Sequence, residues 1–337
     1  MAKLIRIIFF FPIHLLLGLI IRLRHFLYDQ GVFPSTGFAV PVICIGNLEL
    51  GGSGKTPMAD FLLSHFTQKR RMAFLSRGYG RTTGGFRWLQ QCIGPEEAGD
   101  EPWQLFQKWK DAAVFAVDED RVRGVRRILS EKPETELIIL DDAFQHRSIR
   151  AGLNILLTPF QRPFFRNYLF PAGNLRDIRS ASRRADVLVM SKAPSADSGA
   201  LEKALTAVKE AGVKVREVFV SDLLYGNARN REGLLLPEGA QVICMAGLAS
   251  NEAFFTYCRE RFRVEKAISL PDHFRYTAGF FKEQELNPDK VILCTEKDFY
   301  KITAVFPFPA KVFYLPVHIR VFPEDSFFNC IEKYLSA

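Results

Sequence analysis

Residues 41–57 read Pro41-Val-Ile-Cys-Ile-Gly-Asn-Leu-Glu-Leu-Gly-Gly-Ser-Gly-Lys-Thr-Pro57, and this stretch decides the fold. A short apolar run enters a glycine-rich turn that ends in Gly54-Lys55-Thr56, and a helical pattern follows from Met58 to Phe66. Strand, glycine-rich loop and helix in that order form a phosphate-binding loop. Glycines let backbone amides converge on phosphate oxygens, and the helix N-terminus adds positive potential. Gly51, Gly52, Ser53, Gly54, Lys55 and Thr56 are the expected cradle. Lys55 reaches the outer phosphates and the Thr56 hydroxyl is a magnesium ligand. One position departs from the strict motif: Glu49 stands where a glycine is usual, with Gly46, Gly51 and Gly52 supplying flexibility at another spacing. Pro57 fits the first helical turn, where a missing amide donor costs nothing.

A phosphate loop needs a second buried strand ending in acid. Leu137-Ile-Ile-Leu140 runs straight into Asp141 and Asp142. These carboxylates are expected to face the magnesium held by Thr56. Further apolar runs at 72–75, 113–117, 153–157 and 186–190, mostly separated by helical patterns, predict a parallel, doubly wound sheet. Loops at the carboxyl ends of such strands line the ligand crevice. Ser76-Arg-Gly-Tyr-Gly-Arg81 is one such loop, or simply a polar turn. Arg176, in Phe170-Pro-Ala-Gly-Asn-Leu-Arg-Asp177, is a candidate for neutralising phosphoryl charge, or a surface arginine of a basic protein. Asp100 lies just before the helical stretch Trp103–Trp109, so from spacing alone it reads as a helix cap or as a proton acceptor. His146 reads as a histidine hydrogen-bonded within its loop, with a catalytic role as the other reading.

Beyond residue 212 the pattern changes. Segments 213–235 and 309–322 contain alternating, strand-like runs and flank a second α/β region at 236–308, with strands expected at 241–245, 263–268 and 291–294. Asp272-His273 sits in a loop of this region, and Thr295-Glu-Lys-Asp298 follows a strand. A helix at 323–337 is expected to return to the first domain, 29–212. The expectation is therefore an α/β protein: a P-loop NTPase-like parallel sheet domain with a smaller α/β domain joined by a two-stranded linker.

Bulk properties agree with an anionic partner. The chain of 337 residues carries a net charge of +8 and 48% hydrophobic residues, enough for a substantial core. Its six cysteines form no close pairs, which argues against a disulfide framework or a zinc site. Dispersed basic residues without a nucleic-acid motif argue against a nucleic-acid reader. Residues 1–28 combine an uncharged run, Ile7–Ile21, with Lys3, Arg6, Arg22 and Arg24. The run is short of the ~20 residues that span a bilayer. An interfacial amphipathic helix is expected, with a buried core helix as the other reading.

Taken in order, these stretches resemble one family, the tetraacyldisaccharide 4'-kinases of lipid A synthesis. The resemblance rests on Gly46-Asn47 with Gly51–Pro57, Ser76–Arg81, Gly99–Pro102, Asp141–His146, Phe170–Arg176, Pro271–His273 and Thr295–Asp298. It departs at Ala143, Asn174, Asp177 and Phe274, where glycine, proline, glutamate and histidine are usual; the shorter Asp177 puts a magnesium role there in doubt. The resemblance implies ATP- and Mg2+-dependent phosphorylation of the 4'-hydroxyl of a tetraacylated glucosamine disaccharide 1-phosphate. The enzyme would be peripheral and monomeric, on the cytoplasmic face of the bacterial inner membrane. It also implies that Asp100 is the base for the sugar hydroxyl and His273 its partner, with Lys55 and Arg176 stabilising the transferred group. The competing expectation is a membrane-associated P-loop ATPase switch that dimerises on nucleotide.

Overall fold

A computed structural model describes residues 11–248, 250–286, 290–306, 308 and 311–336. Lys3 and Arg6 of the expected interfacial helix lie outside the described residues; its visible part is α1 (Phe11–Asp29). The phosphate-loop strand is β1 (Val42–Asn47), buried at every position and flanked by two parallel neighbours, β5 (Leu137–Asp141) and β6 (Leu153–Pro159). Runs of Val, Ile and Leu without polar alternation suit strands covered on both faces. Around them the chain adds β2 (Met72–Ser76), β3 (Arg87–Trp88), β4 (Ala113–Val117), β7 (Val187–Ser191) and β8 (Glu217–Tyr225). With β13 (Val317–Phe322) they make a nine-stranded sheet in the order β13-β8-β7-β6-β1-β5-β2-β4-β3. All pairs are parallel except the two at the edges, β13·β8 and β3·β4.

Helices cover both faces. On one lie α5 (Arg121–Glu131) and α6 (Ser198–Glu210), through Val125, Ile128, Ala204 and Val208. On the other lie α2 (Lys55–Phe66), α4 (Asp100–Trp109, after the single-turn α3, Pro95–Ala98) and the tail α10 (Glu324–Leu335). The tail is fixed by aromatic contacts, Phe61 to Phe328 at 5.0 Å between centroids, and by the Tyr334 hydroxyl, which accepts from the Val42 amide at 3.2 Å.

A second sheet, all parallel, has the order β10-β9-β11-β12, built from β9 (Gln241–Ala246), β10 (Arg263–Ser269), β11 (Ile292–Thr295) and β12 (Val312–Leu315). It packs with α7 (Glu252–Arg261), α8 (Ala278–Glu283) and α9 (Glu296–Val305). The alternating run at 312–321 is not one strand. Pro316, which has no amide to donate, divides it: β12 closes the small sheet and β13 opens the edge of the large one. The flanking segments thus enter the large sheet as the antiparallel pair β8·β13. All six cysteines are free and five of them are buried.

Candidate active site

The parallel strands β1, β2, β5 and β7 end on one edge, and their last residues assemble the site. After β1 the chain turns into the loop that caps α2. Gly54 is the N-cap and has φ 88°, a left-handed conformation that costs a side-chain-bearing residue about 1 kcal/mol or more. Lys55 and Thr56 are the first helical residues. The unusual Glu49 is accommodated because its side chain turns inward: it is 7% exposed, accepting from Thr158 Oγ1 at 3.1 Å and from Asn167 Nδ2 at 3.0 Å. Burial pushes its carboxyl above the usual range.

Asp141 closes β5, and Asp142 follows with φ 47°. The Ser76 hydroxyl, at the end of β2, donates to Asp141 Oδ2 at 3.1 Å, while Asp141 Oδ1 is buried and has no hydrogen-bond partner. Burial, then the carboxylates of Glu101 and Asp142, push the Asp141 carboxyl up to about 7. Asp142 behaves oppositely. Burial raises it, but the Arg176 hydrogen bond and the charge of Lys55 more than offset that and hold it below the usual carboxylate range. Arg176 grips Asp142 through both terminal nitrogens and also donates to the Asn47 side chain; Lys55 Nζ is 3.8 Å from the same carboxylate. Arg176, Lys55, Asp141 and Asp142 are thus brought into one cluster beside the loop.

Asp100 is the first residue of α4, but it does not cap the helix. The N-cap is Gly99, at φ 92°, where an added Cβ would come within 2.9 Å of the Gly78 Cα; this glycine lets the 76–81 loop lie against the helix start. The Asp100 carboxylate instead reaches the small sheet's side of the crevice. Its Oδ2 is 3.0 Å from His273 Nδ1 and accepts from Lys301 Nζ at 3.1 Å; Lys297 Nζ is 3.9 Å away. His273 itself is held at φ 60°, with its amide donating to Asp272 Oδ1 at 3.0 Å, and Lys297 pairs with the same Asp272 oxygen at 2.6 Å. The Tyr79 ring lies 5.6 Å from the His273 ring. Of the pair, Asp100 is 16% and His273 36% exposed in the side chain, so the dyad is sheltered yet open to a ligand.

Of three cations near the site, Lys297 was marked by sequence only as part of the Thr295–Asp298 stretch, and Lys301 and Lys192 were not singled out. Lys301 and Lys297 lie on α9, and no local motif marks a lysine that answers an acid on another sheet. Lys192 follows β7 at φ 57°, and a Cβ on Gly52 would lie 3.5 Å from its ammonium. Desolvation, then Lys55 and Arg162, hold that ammonium below the usual lysine range. The signal available was position alone: a residue directly after a parallel strand on the loop edge. His146 keeps its backbone turn, donating to Ala143 O at 2.8 Å. Burial and the charges of Arg121 and Arg77 depress its imidazole to about 4.

The fit to magnesium is good: the Thr56 hydroxyl, Asp141 and Asp142 are hard oxygen donors, and the partnerless Asp141 Oδ1 is the kind of atom a cation satisfies.

Comparison with known proteins bears on this constellation. The family model described as tetraacyldisaccharide-1-P 4'-kinase matches residues 6–336. A tetraacyldisaccharide 4'-kinase of Cytophaga hutchinsonii is 35% identical over 94% of this chain and 92% of its own. That of Flavobacterium psychrophilum is also 35% identical, covering 91% and 90%. Among solved structures, LpxK from Aquifex aeolicus, crystallised in complex with ATP, superposes with a TM-score of 0.79 at 28% identity, over 99% of this chain and all of that one.

Proposed function

Since the chain belongs to the tetraacyldisaccharide-1-P 4'-kinase family, we propose a division of labour among its residues in the family's reaction. The enzyme phosphorylates a lipid A precursor at the 4'-hydroxyl at the expense of ATP. The observation that carries the assignment of roles is the Asp100–His273 contact, which joins α4 of the large sheet to a loop of the small one.

Asp100 accepts the proton of the 4'-hydroxyl, and the freed oxygen attacks the γ-phosphorus as the bond to ADP breaks. His273 and Lys301 orient the carboxylate from two sides, so it points into the crevice rather than at the amides of its own helix. Lys55 and Arg176 neutralise charge that spreads over the transferred group. The loop amides from Gly51 to Thr56 hold the remaining phosphates. Magnesium, when bound by Thr56, Asp141 and Asp142, neutralises charge on the phosphate chain. Arg176 and Lys55 are held on the Asp142 carboxylate, which keeps both cations beside the loop where phosphate oxygens would be met. Both members of the dyad come from one chain, so the dyad itself requires no second subunit, and we read the enzyme as a monomer. A nucleotide-driven dimeric switch would need no such dyad.

The acceptor's acyl chains remain in a bilayer, so the site must work at its surface. The exposed side of α1 is apolar: Ile13, Leu16, Leu19, Ile20, Leu23 and Phe26 are each 53% exposed or more. No described helix is long and apolar enough to cross a membrane. Such a stripe, with Arg22 beside it, suits the headgroup region of an anionic leaflet, and we assign the enzyme to the cytoplasmic face of the inner membrane. In this reading residues 236–308 with β12 form the smaller domain, and 29–212 with β8, β13 and the tail the larger.

Asp100→Ala tests the assignment. It should bind ATP as the wild type does and transfer phosphate to a detergent-solubilised tetraacylated disaccharide 1-phosphate about 10²–10⁴-fold more slowly. Loss of ATP binding would mark Asp100 as a structural residue.

A further inference from the structure

The inner side of α1 carries polar groups that a merely packed helix would not need. His25 is 8% exposed, and its Nε2 lies 2.7 Å from Asp177 Oδ1; Asp177 is 1% exposed. Arg147 fixes the imidazole from behind. It donates to His25 Nδ1 at 3.1 Å and to the His25 carbonyl at 2.9 Å, and it pairs with Asp29 at 2.6 Å. A guanidinium has no lone pair to offer, so Nδ1 is the acceptor and Nε2 carries the proton given to Asp177. The Asp177 carboxylate has further partners: Oδ1 also accepts from the Ile178 amide at 2.8 Å, and Oδ2 is 3.5 Å from Arg184. Its contacts are those of a structural anchor.

Asp177 directly follows Arg176, the residue that grips Asp142 and Asn47. Arg176 is held on its other side by its own amide, which donates to Leu48 O at 2.9 Å. A second thread runs the same way. Arg24 donates to Gln145 O at 2.9 Å, Gln145 Nε2 donates to Asn47 O at 2.8 Å, and Arg176 Nη2 reaches that same oxygen at 3.3 Å. Both threads start on the last turns of the helix whose opposite side is exposed and apolar; the first ends on the residue bonded to Arg176 and the second on its guanidinium.

We propose that the His25–Asp177 contact is a positioning device that sets Arg176 against the phosphoryl group and makes that placement depend on α1 being seated. The proposal rests on the charge-neutralising role given to Arg176 above. With α1 docked on its lipid surface, His25 holds Asp177 and the 175–178 segment is rigid. With the contact cut, Arg176 samples orientations that do not meet the transferring oxygens, and transfer slows although the nucleotide still binds.

A double-mutant cycle tests this. His25→Leu and the near-isosteric Asp177→Asn are each made in the wild type and in Arg176→Ala, with kcat and the KM for ATP measured on micellar lipid substrate and thermal unfolding followed in parallel. Either single change should lower kcat about tenfold or more in the wild type, the effect of losing a buried hydrogen bond to a charged group, with little change in KM. In the Arg176→Ala background the same change should alter kcat by less than about twofold, while the unfolding midpoint falls equally in both backgrounds. Equal kcat losses in both backgrounds, or no loss in the wild type, would overturn the coupling. Wild-type turnover by Arg176→Ala alone would instead overturn the role of Arg176 and leave the coupling without an object. If His25→Leu does not fold, Asp177→Asn decides.

Discussion

At the scale of the residue, the same amino acid has two readings and a partner chooses between them. An aspartate at a helix start is ordinarily a cap. Asp100 is released from that duty because Gly99 takes the N-cap, and His273 and Lys301 engage the carboxylate instead. Loss of a general base costs about 10²–10⁴-fold, so Asp100→Ala should lower kcat by that order with ATP affinity unchanged; equilibrium titration with a fluorescent ATP analogue checks the second half. Lys55, Thr56, Asp141 and Asp142 were legible from sequence because each sits in a contiguous motif. The partner of Asp100 lies 173 residues away, so only resemblance could pair them beforehand. Lys301 and Lys192 had no such help: their meaning lies in tertiary proximity. His146 gives a pH prediction. Its imidazole is depressed from 6.5 to about 4 by burial and neighbouring arginines, so between those values the unfolded chain binds the extra proton. Stability therefore falls as pH drops from about 6.5 to about 4, by up to about 3 kcal/mol from this group. His146→Gln should flatten the denaturation midpoint against pH in that window.

At the scale of the element, the loop and helix that follow β1 came through from sequence because glycine spacing and the strand before it are local properties. Glu49 departed from the pattern, and the structure gives the reason: Thr158 and Asn167 receive its side chain, so the backbone can still turn. The run at 312–321 was harder, since alternation does not say which sheet a strand joins, and Pro316 divides it between two. For α1, sequence left a membrane helix and a core helix both open, and the helix has features of each: His25 and Gly18 are buried, while Leu16, Leu19 and Leu23 are exposed. A triple change of those leucines to serine removes side chains worth about 1.5–3 kcal/mol each on full burial. Flotation with anionic phospholipid vesicles should fall at least tenfold, while turnover on short-chain, micelle-free substrate stays near wild type. Unchanged flotation would remove the interfacial role of this surface.

At the scale of the whole molecule, a mostly parallel sheet of nine strands and a parallel sheet of four meet across one crevice, and the proposed roles divide the chemistry between them. The phosphate loop, the paired aspartates and Asp100 stand on the large sheet; His273, Lys297 and Lys301 stand on the small one. The crossings between them, the 226–240 segment and Pro316, are where relative motion would be absorbed, and closure would exclude water from the transferring phosphoryl group. The proposed binding of magnesium by Thr56 and the aspartates predicts that chelation abolishes transfer, that added Mg2+ restores it, and that Asp141→Asn raises the Mg2+ concentration needed. The measurement that bears most directly on the account is phosphate transfer from ATP to a detergent-solubilised tetraacylated disaccharide 1-phosphate by the wild type and by His273→Ala. The account predicts a 4'-phosphorylated lipid from the wild type and a sharp fall in kcat for the variant, with ATP binding retained. Equal turnover by both would contradict a site shared between the two sheets, and steady ATP hydrolysis without lipid product would contradict the roles assigned to its residues.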